Sequence, residues 1–556
     1  MLVIALIAFA IIGLRLIDLQ AVGERRYTRL GLDQRVHTAT LAAERGNIFD
    51  RHGSDLAVSV PQQTIYADDR VITDPAATAA KLAPVLGLDE GTLRVKLADR
   101  KKAFVYLARK VDDGVASRVA ALHIGGVAAV PESKRFYPSG TIAASLLGFV
   151  GTDNNGLSGL ETSYDKSLTG RPGELSVERD PQGREIPNGQ RSLRPAERGS
   201  DLVLTIDQGM QYATETALVD EVNLSKAKGG MAVIADVQTG DILSMASVDG
   251  PADGHPAVPT PANGHNRPLT DVYEPGSTNK VLTVSGALEN GVVRPDTVFQ
   301  VPAAIQIGGG RFEDHDPHGV MPWSVADILR ISSNVGAIMI GGQLGPTRLD
   351  ATMRAFGFGQ PTGLGYPGEA SGILLPVSKY SDTSMGTIPT GNGLAVTAMQ
   401  MLDVYRTIAN GGVAEPPRIV AGTIDANGVR HDVAPKPSRR VVSTQTADEV
   451  RTMLAGVVKD GTGTKAAIPG YDVAGKTGTA RKPPYDHPPY SYMASFAGFA
   501  PAESPRLAAI VVMDQPQSSI YGGDVAAPVF SRIMQYALRL EQIPTSSLSP
   551  APSPSR

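Results

Sequence analysis

A helix is predicted to begin within the stretch Glu274-Pro275-Gly276-Ser277-Thr278-Asn279-Lys280, because apolar residues at helical spacing follow it from Val281 onward. In such a helix Ser277 and Lys280 are three positions apart and share one face, so the lysine amine can reach the serine hydroxyl. A serine hydroxyl is a poor nucleophile until a neighbouring base takes its proton, and a helix amino terminus stabilises the anion that develops. The stretch therefore predicts a serine nucleophile with a lysine as its base.

The S-x-x-K pattern alone is weak evidence, because the chain contains a second copy, Ser225-Lys226-Ala227-Lys228. This copy runs directly into a strand-like segment at Met231, and no helix is expected to hold its serine and lysine together. We predict a solvated turn there. For Ser277 considered alone, helix capping is the simpler explanation.

A second polar cluster, Ser332-Ser333-Asn334, lies between the helix-like Trp323–Leu329 and the apolar Val335–Ile340. One interpretation is a helix cap. The other is a hydroxyl and an amide placed beside the serine and lysine, where proton relay and substrate binding need them.

A third cluster, Lys476-Thr477-Gly478-Thr479, lies in a strand-like setting. On a strand Thr477 and Thr479 face one side and Lys476 the other, while Gly478 leaves room for a ligand backbone alongside. Two hydroxyls near a lysine suit a carboxylate ligand. An ordinary edge strand is the alternative.

The carboxy-terminal region has the pattern of an α+β domain. Met231–Val237 and Asp241–Ser247 flank a short glycine turn and predict a β-hairpin. Ser495–Ala500 and Leu507–Met513 are strand-like, and Ala527–Leu540 has the pattern of a helix. Strands at both ends of the region, with helical patterns between them, predict that its termini meet in one sheet.

The region from residue 20 to 198 is mixed. Residues 76–122 have alanine and leucine at helical spacing and are predicted to be helical. It contains two notable clusters, the charged turn Arg45-Gly46-Asn47-Ile48-Phe49-Asp50-Arg51-His52-Gly53 and the segment Gly156-Leu157-Ser158-Gly159-Leu160-Glu161. We expect a domain boundary in the polar stretch Arg191–Gly199, which precedes the strand-like Asp201–Ile206.

Residues 1–19 are predicted to anchor the chain in a membrane. Their apolar run, Leu2–Leu14 and beyond Arg15, is short for a bilayer span, and no small-residue cleavage site follows it. A buried helix is the alternative. Because arginines follow the run and nothing basic precedes it, the positive-inside rule conflicts with an extracytoplasmic body. We therefore hypothesise that the natural protein carries a basic segment before Met1.

The composition restricts the possible functions. A net charge of −4 over 556 residues gives no reason to expect a nucleic-acid partner, and the length predicts two or three domains. The absence of cysteine excludes disulfides, thiolate zinc sites and a cysteine nucleophile. His315 and His318 lie in a polar loop without a further convergent ligand, so we expect no metal and no cofactor.

In this order, the clusters at Ser277, Ser332 and Lys476 match the S-x-x-K, S-x-N and K-T-G signature of penicillin-binding proteins and serine β-lactamases. Arg45–Gly53 resembles the R-G-x-I-x-D-R-x-G segment of class B penicillin-binding proteins, and Gly156–Glu161 resembles their G-x-x-G-L-E segment. Secreted β-lactamases lack both. The chain thus resembles a class B penicillin-binding protein over nearly its whole length, with the layout of the division-specific FtsI type and a composition reminiscent of actinobacterial members.

The resemblance implies an α+β fold with four parts. A penicillin-binding, serine β-lactamase-like transpeptidase domain, an antiparallel sheet with helices, is implied at residues 199–541. A mixed pedestal of the dimerisation type is implied at 20–198, a transmembrane anchor at 1–19 and a disordered Pro/Ser-rich tail at 542–556. The resemblance also implies a single-pass protein of the cell membrane whose catalytic domain lies outside the cytoplasm.

The implied activity is D,D-transpeptidation of peptidoglycan. Ser277 would attack the penultimate D-alanine carbonyl of a donor stem peptide and release the terminal D-alanine, with Lys280 as the base. Ser332 would relay a proton, Asn334 would bind the substrate amide, and Lys476 would set the electrostatics around Ser332. The implied oxyanion hole consists of the backbone N–H groups of Ser277 and Thr479. The implied substrate-binding residues are Thr477, Gly478 and Thr479, of which the two threonines would hold the substrate carboxylate.

The implied partners are stem peptides ending in D-Ala-D-Ala, β-lactams that acylate Ser277, the cytoplasmic membrane, an FtsW-type glycosyltransferase and other division proteins. Three alternatives remain: an elongation-type class B protein, a β-lactam sensor or hydrolase, and a non-catalytic scaffold. The Arg45–Gly53 segment disfavours the sensor, and the intact set of motifs disfavours the scaffold.

Overall fold

The computed structural model describes residues 1–18, 35–99, 104–178, 186, 189–252, 254–486 and 488–546. Helix α1 (Leu2–Ile17) buries none of its residues, which argues against the buried-helix alternative. Among the described residues, no helix combines the length and the apolar composition that crossing a membrane requires. Residue 19 and the predicted tail from residue 547 onward lie outside the described residues.

The amino-terminal part of the chain mixes strands and short helices. Its strands are β1 (Val36–Leu41), β2 (Ile48–Phe49), β3 (Asp55–Ala67), β4 (Val105–Val111), β5 (Val127–Phe136), β6 (Gly173–Glu178), β7 (Arg191–Arg194) and β8 (Asp201–Leu204). Its helices after α1 are α2 (Pro75–Leu86), α3 (Glu90–Leu97), α4 (Asp113–Ala121), α5 (Ala144–Leu147), α6 (Gly159–Ser163) and α7 (Asp165–Leu168).

The prediction that residues 76–122 are helical is wrong in the middle of that range. Strand β4 lies between α3 and α4 and pairs antiparallel with β3. Its Val105, Tyr106 and Val111 are β-branched or aromatic residues, which favour a half-buried pleated surface over a helix. The alanine and leucine spacing predicts helices correctly only before and after this strand.

The two sequence clusters of the amino-terminal part meet in a buried ion-pair network. Nε of Arg45 donates to Oε2 of Glu161 at 2.7 Å, and Nε of Arg135 donates to Oε1 of the same carboxylate at 2.7 Å. All three side chains are buried. Nη1 of Arg45 also donates to Oδ1 of Asp165 at 2.7 Å. Because a buried charge is strongly destabilising without partners, the Arg45 segment and the Glu161 segment depend on each other.

The carboxy-terminal part is larger and more regular. Its strands are β9 (Gly229–Asp236), β10 (Ile242–Asp249), β11 (Val258–Pro259), β12 (Val298–Val301), β13 (Ala304–Ile307), β14 (Gly310–Glu313), β15 (Met321–Ser324), β16 (Val413–Ala414), β17 (Val420–Ile424), β18 (Arg430–Asp432), β19 (Arg439–Arg440), β20 (Ala474–Lys482), β21 (Ser491–Ala500) and β22 (Leu507–Asp514). Its helices are α8 (Gln208–Ser225), α9 (Arg267–Thr270), α10 (Lys280–Glu289), α11 (Val325–Ile331), α12 (Asn334–Leu344), α13 (Pro346–Ala355), α14 (Ser384–Thr387), α15 (Ala398–Ala409), α16 (Thr444–Asp460), α17 (Gly522–Val525) and α18 (Ala527–Leu540).

The main sheet has the strand order β11-β10-β9-β22-β21-β20, and all of its neighbouring strands are antiparallel. The predicted hairpin is confirmed as β9–β10, and the pairing of β9 with β22 brings the two ends of the region together as expected. One face of the sheet packs on α8 and α18, and the other packs on a core that includes α10, α15 and α16. This arrangement leaves β20 as an edge strand beside α10.

Strand β8 joins the two parts of the chain. It pairs parallel with β2 and antiparallel with β17, and all four of its residues are buried. A Cβ at Gly46 would lie 2.0 Å from the carbonyl oxygen of Ser200, so the two segments are in close backbone contact. A continuous sheet therefore crosses the position where the polar stretch before Asp201 suggests a boundary.

The second S-x-x-K copy is not the solvated turn that the sequence suggests. Ser225 is the last residue of α8, is buried, and its Oγ donates to the carbonyl oxygen of Glu221 at 2.6 Å. Lys226 ends the helix in the left-handed conformation, and Lys228 is exposed. The serine of this copy is a structural residue in the helix, and its hydroxyl is directed at the helix backbone.

Candidate active site

Ser277 lies in a 3-10 turn (Gly276–Asn279) that leads directly into α10. Gly276 has a φ of +55°, and a Cβ there would lie 2.9 Å from the carbonyl oxygen of Thr479, so this turn and β20 can approach closely only with glycine at this position. Ser277 is partly exposed, whereas Lys280 is fully buried. Within the described part of the chain the Ser277 hydroxyl has no hydrogen-bond partner, so it is available to a ligand.

Lys280 directs its amine at the Ser332–Asn334 turn. Its Nζ donates to the carbonyl oxygen of Ser332 at 2.5 Å and to Oδ1 of Asn334 at 2.8 Å. Burial lowers the pKa of Lys280 to about 7, and the carboxylate of Asp314 acts in the opposite direction. When the amine is neutral, its two N–H groups can donate to these two acceptors, and its lone pair remains free to accept a proton.

Ser332 is the meeting point of two lysines. It ends α11 in the left-handed conformation, with a φ of 66° and a ψ of 34°, which is uncommon for a residue with a side chain. Its Oγ lies 2.8 Å from Nζ of Lys476 and 3.3 Å from Nζ of Lys280. One hydroxyl thus contacts both amines, which is the geometry that a proton relay requires.

Lys476 is fully buried on β20. Burial lowers the pKa of its amine well below the ordinary value, and the neighbouring amine of Lys280 lowers the pKa further. Both amines contact the same hydroxyl, and two positive charges held so close disfavour each other, so protonation of one amine opposes protonation of the other. The pair can therefore take up a proton without a histidine or a carboxylate in contact with Ser277.

Asp314 holds the Ser332–Asn334 turn in place. Its Oδ1 accepts from the backbone N–H groups of Asn334 and Val335, the latter at 3.1 Å, and its Oδ2 accepts from the hydroxyl of Ser333 at 2.7 Å. These bonds satisfy the first N–H groups of α12, as a capping residue does. Sequence reasoning missed this residue, because its signal was no more than an aspartate in a polar loop.

The threonines of the third cluster differ in exposure. Thr479 is partly exposed, and its Oγ1 accepts from the N–H of Gly522 at 3.4 Å. Thr477 is buried, and its hydroxyl lies 2.7 Å from that of Thr462. At Gly478 a Cβ would lie 2.4 Å from Oγ of Ser495, so glycine is required by the neighbouring strand as well as by any ligand.

The backbone of Thr479 faces the serine turn. Its carbonyl oxygen is the atom that a Cβ on Gly276 would meet at 2.9 Å, and the N–H and C=O of one strand residue point to the same side. The N–H of Ser277 lies at the start of a helical turn, where N–H groups lack partners within the helix. The backbone of Thr479 therefore lies beside the turn that carries Ser277, and these two N–H groups remain the predicted donors to an oxyanion.

A contact between two loops borders the cleft at its outer side. Nε2 of His315 lies 2.7 Å from the hydroxyl of Tyr521, and their rings meet edge to face. His318 contacts Asp314 at 3.1 Å and packs on Trp323. In the described part of the chain, no three histidine, aspartate or glutamate side chains converge in a group that could hold a metal ion.

The predicted site residues therefore lie together in one cleft between the start of α10, the turn between α11 and α12, and the edge strand β20. The residues brought together are Ser277, Lys280, Ser332, Asn334, Lys476, Thr477, Gly478 and Thr479. An antiparallel sheet with an active-site serine at the start of a buried helix, and a lysine on the adjacent edge strand, defines the class of penicillin-reactive serine acyltransferases.

The chain belongs to the penicillin-binding protein family. Residues 230–535 match the model of the penicillin-binding protein transpeptidase domain, and residues 40–204 match that of the penicillin-binding protein dimerisation domain. This agrees with the class B resemblance that the sequence motifs indicate.

Curated relatives and solved structures cover most of the chain. It is 36% identical to penicillin-binding protein PbpB of Mycobacterium tuberculosis, over 92% of this chain and 80% of that protein. It is also 36% identical to the peptidoglycan D,D-transpeptidase FtsI of Escherichia coli, over 98% of this chain and 92% of that protein. A peptidoglycan synthetase of Bifidobacterium adolescentis superposes with a TM-score of 0.77 at 32% identity, over 92% of this chain and 98% of that one. Penicillin-binding protein 3 of M. tuberculosis in complex with aztreonam superposes with a TM-score of 0.71 at 32% identity, over 91% and 98% of the two chains.

Proposed function

We propose that this protein is a peptidoglycan D,D-transpeptidase that cross-links stem peptides through an acyl-enzyme on Ser277. The observation that carries the proposal is the convergence of the buried amines of Lys280 and Lys476 on the Ser332 hydroxyl, with Ser277 one turn before Lys280 in the chain. A site of this kind activates a serine for acyl transfer, and the relative named peptidoglycan D,D-transpeptidase supports that reaction.

Acylation begins with the attack of Ser277 Oγ on the penultimate D-alanine carbonyl of a donor stem peptide. The serine proton passes to the neutral amine of Lys280, and the N–H groups of Ser277 and Thr479 receive the oxyanion. Collapse of this intermediate breaks the amide bond. The leaving terminal D-alanine takes a proton through Ser332, which both lysine amines contact.

The acyl-enzyme is resolved by an amine from a neighbouring stem peptide. Its nitrogen attacks the ester carbonyl, loses a proton through Ser332 to the lysine pair, and Ser277 leaves as the restored hydroxyl. The product is an amide cross-link. With water in place of the amine, the same steps give a D,D-carboxypeptidase side reaction.

The substrate is held on two sides. Oδ1 of Asn334 accepts from Lys280, and its Nδ2 donates to the carbonyl oxygen of Glu313 at 3.2 Å, so its amide is fixed where the substrate amide passes. The hydroxyl of Thr479 reaches the terminal carboxylate from the exposed face of β20. Thr477 acts from behind it, through its contact with Thr462 and its neighbour Lys476.

The cellular setting is septal wall synthesis at the cytoplasmic membrane. The apolar, exposed helix α1 supports a membrane anchor in residues 1–19, with a pedestal in residues 20–198 that carries the catalytic unit of residues 199–541 outside the cytoplasm. The likeness to the peptidoglycan D,D-transpeptidase FtsI supports the role in septal wall synthesis. An FtsW-type glycosyltransferase and other division proteins are the partners that we propose for it. β-Lactams that mimic D-Ala-D-Ala acylate Ser277.

Labelling with a fluorescent penicillin tests the reaction. The full chain in detergent, Ser277→Ala and Ser225→Ala are each incubated with the probe, and the label is located by peptide mass spectrometry. We expect a persistent adduct on Ser277 in the unmodified chain and in Ser225→Ala, the matched S-x-x-K control, and none in Ser277→Ala. A folded chain without an adduct would refute catalysis and leave a scaffold, and rapid release of hydrolysed penicillin would indicate a β-lactam hydrolase.

A further inference from the structure

The carboxylate of Glu274 lies at the rim of the cleft, three residues before Ser277. Its Oε1 accepts from the N–H of Gly393 at 2.9 Å, and it shares a hydrogen bond with the hydroxyl of Tyr485. Three residues of chain span at most about 11 Å, so the carboxylate is within reach of a ligand bound to Ser277.

Both contacts of Glu274 belong to segments that build the cleft. Gly393 follows Gly391, whose carbonyl oxygen accepts from the N–H of Gly276 at 3.0 Å. Tyr485 lies in the connection between β20 and β21, beyond the Lys476–Thr479 part of β20. The carboxylate therefore marks the place where the serine turn, the Gly391–Gly393 loop and the β20–β21 connection meet.

Glu274 has no cationic partner in the described part of the chain. The neighbouring cations on β20 are engaged elsewhere, since Lys482 donates to Asp514 at 2.7 Å and Arg481 lies over the ring of Tyr490. The side chain is only partly exposed, and burial raises its pKa, which the bond from Gly393 opposes. A partly buried carboxylate without a cation is unfavourable until a ligand supplies the positive charge.

The direction of the donor peptide follows from the roles proposed above. The terminal carboxylate lies at the hydroxyl of Thr479, with Thr477 behind it, and the reacting carbonyl lies at the N–H of Thr479. The acyl part of the donor then continues along β20 towards Arg481 and Tyr485, at about 3.3 Å per residue. This path brings the preceding side chains of the donor, or the acylamino side chain of a penicillin, to Glu274.

We propose that Glu274 binds a primary ammonium group on the acyl side of the donor stem peptide and so selects cationic donors. The inference rests on the proposed transpeptidase function, and it assigns to Glu274 a specificity role that the reaction at Ser277 does not itself require.

Three penicillins that share one nucleus and one phenyl group provide the test. At the side-chain α-carbon, benzylpenicillin carries hydrogen, ampicillin an ammonium group and carbenicillin a carboxylate. Second-order acylation rates of Ser277 are measured at about pH 6.5, where an α-amino group is protonated. For Glu274→Gln we expect about a tenfold loss with ampicillin, less than a twofold change with benzylpenicillin and a gain with carbenicillin.

The control variant is Glu503→Gln, which removes an exposed carboxylate from the connection between β21 and β22 and should leave the order of the three penicillins unchanged. An equal loss with all three penicillins in Glu274→Gln would assign the residue a structural role and overturn the inference. Failure of every penicillin to acylate the unmodified chain would overturn the proposed function itself. A second measurement needs only the unmodified chain. The acylation rate with ampicillin, divided by the rate with benzylpenicillin, should fall as ionic strength rises, because salt screens the pairing of Glu274 with the ammonium group. A constant ratio would contradict the inference, whether or not the Glu274→Gln variant folds.

Discussion

Ser332 and Lys476, which are far apart in sequence, are joined by a hydrogen bond of 2.8 Å between Oγ and Nζ. The same hydroxyl lies 3.3 Å from Nζ of Lys280. Burial lowers the pKa of both lysines, and each amine lies within hydrogen-bond distance of this hydroxyl, so a proton can pass between them through it. Ser332 is thus the group through which the two amines communicate, and the chemistry of Ser277 depends on a residue outside its own motif.

Replacement of Ser332 by alanine should therefore slow acylation much more than it lowers stability. We expect the second-order rate constant with a fluorescent penicillin to fall about 10²–10⁴-fold, the usual contribution of a positioned proton donor or acceptor. The comparison variant is Ser333→Ala. Ser333 caps α12 through its bond from the N–H of Gly336 at 2.9 Å, so its loss should cost about 1 kcal/mol of stability with a smaller effect on rate. Equal rate losses in the two variants would contradict a relay role for Ser332.

The pH dependence of acylation should follow Lys280. Burial lowers the pKa of this amine to about 7, and only its neutral form can take the proton of Ser277. The acylation rate should therefore rise with pH through about 7 and level off above it, as measured by stopped-flow fluorescence with a penicillin whose side chain is uncharged. Lys280→Arg keeps a positive charge that does not titrate, so it should abolish the rising limb together with most of the rate. A flat profile in the unmodified chain would refute a neutral lysine as the base.

The residues of the site are more readily predicted from the sequence than the contacts that hold them. The residues around Ser277, Ser332 and Lys476 are local motifs, and the β9–β10 hairpin and helix α18 have strong periodicity, so the fold class followed from short-range patterns. Family membership then confirmed the resemblance that these motifs carry.

The features that were missed depend on contacts between distant segments. Asp314 orders the Ser332 turn only after the chain has folded back on itself, and its own surroundings in sequence are merely polar. The parallel pairing of β8 with β2 has no local signature, and β4 was hidden among helix-forming neighbours. Ser225 is buried because α8 continues up to it.

Gly391 should be essential for the position of the turn that carries Ser277. It has a φ of +86°, and a Cβ there would lie 2.1 Å from the carbonyl oxygen of Gly276, so Gly391→Ala must displace the serine turn. A displacement of about 1 Å costs about 10²-fold in rate, and we expect a loss of that order in penicillin acylation. Gly428→Ala is the matched control, since Gly428 has a φ of +79° but no atom within 4 Å of the added Cβ. It should lose stability without losing rate.

Arg45 should be a major determinant of pedestal stability. Its guanidinium pairs with the buried carboxylate of Glu161 at 2.7 Å, and Arg45→Met would leave that carboxylate with one arginine, Arg135, in place of two. Breaking a buried pair in this way costs about 3–5 kcal/mol, which urea unfolding monitored by fluorescence can measure. Arg171→Met removes an arginine that is 82% exposed and lies 3.5 Å from Glu197, so it should change the free energy of unfolding by less than about 1 kcal/mol. Similar losses in the two variants would mean that the buried network contributes little.

Glu215 should make the coupling of the pedestal to the catalytic domain dependent on pH. Its Oε1 accepts from the N–H of Ala143 at 2.9 Å and from Gln211 at 2.7 Å, and burial raises its pKa to about 7 from an ordinary 4.5. Between these pH values the unfolded chain loses a proton that the folded chain keeps, so this group's contribution to stability falls as pH rises and stays lost above about 7. The loss is at most about 3 kcal/mol.

Glu215→Gln removes the titration but retains an oxygen that can accept both hydrogen bonds. The variant should match the unmodified chain in thermal stability at pH 5 and exceed it by several degrees at pH 8, because the amide remains neutral at both. The comparison variant is Glu221→Gln. Glu221 is a second carboxyl on α8, and burial raises its pKa to about 7 as well. Among the described residues, however, its side chain makes no hydrogen bond to the pedestal. If Glu215 controls the coupling between the domains, hydrogen exchange of the Ala143 amide at pH 8, corrected for its intrinsic rate, should be slower in Glu215→Gln than in the unmodified chain. In Glu221→Gln it should not change. Equal changes of Ala143 exchange and thermal stability in the two variants would mean that burial of a carboxyl on α8, and not its contact with the pedestal, causes the pH dependence.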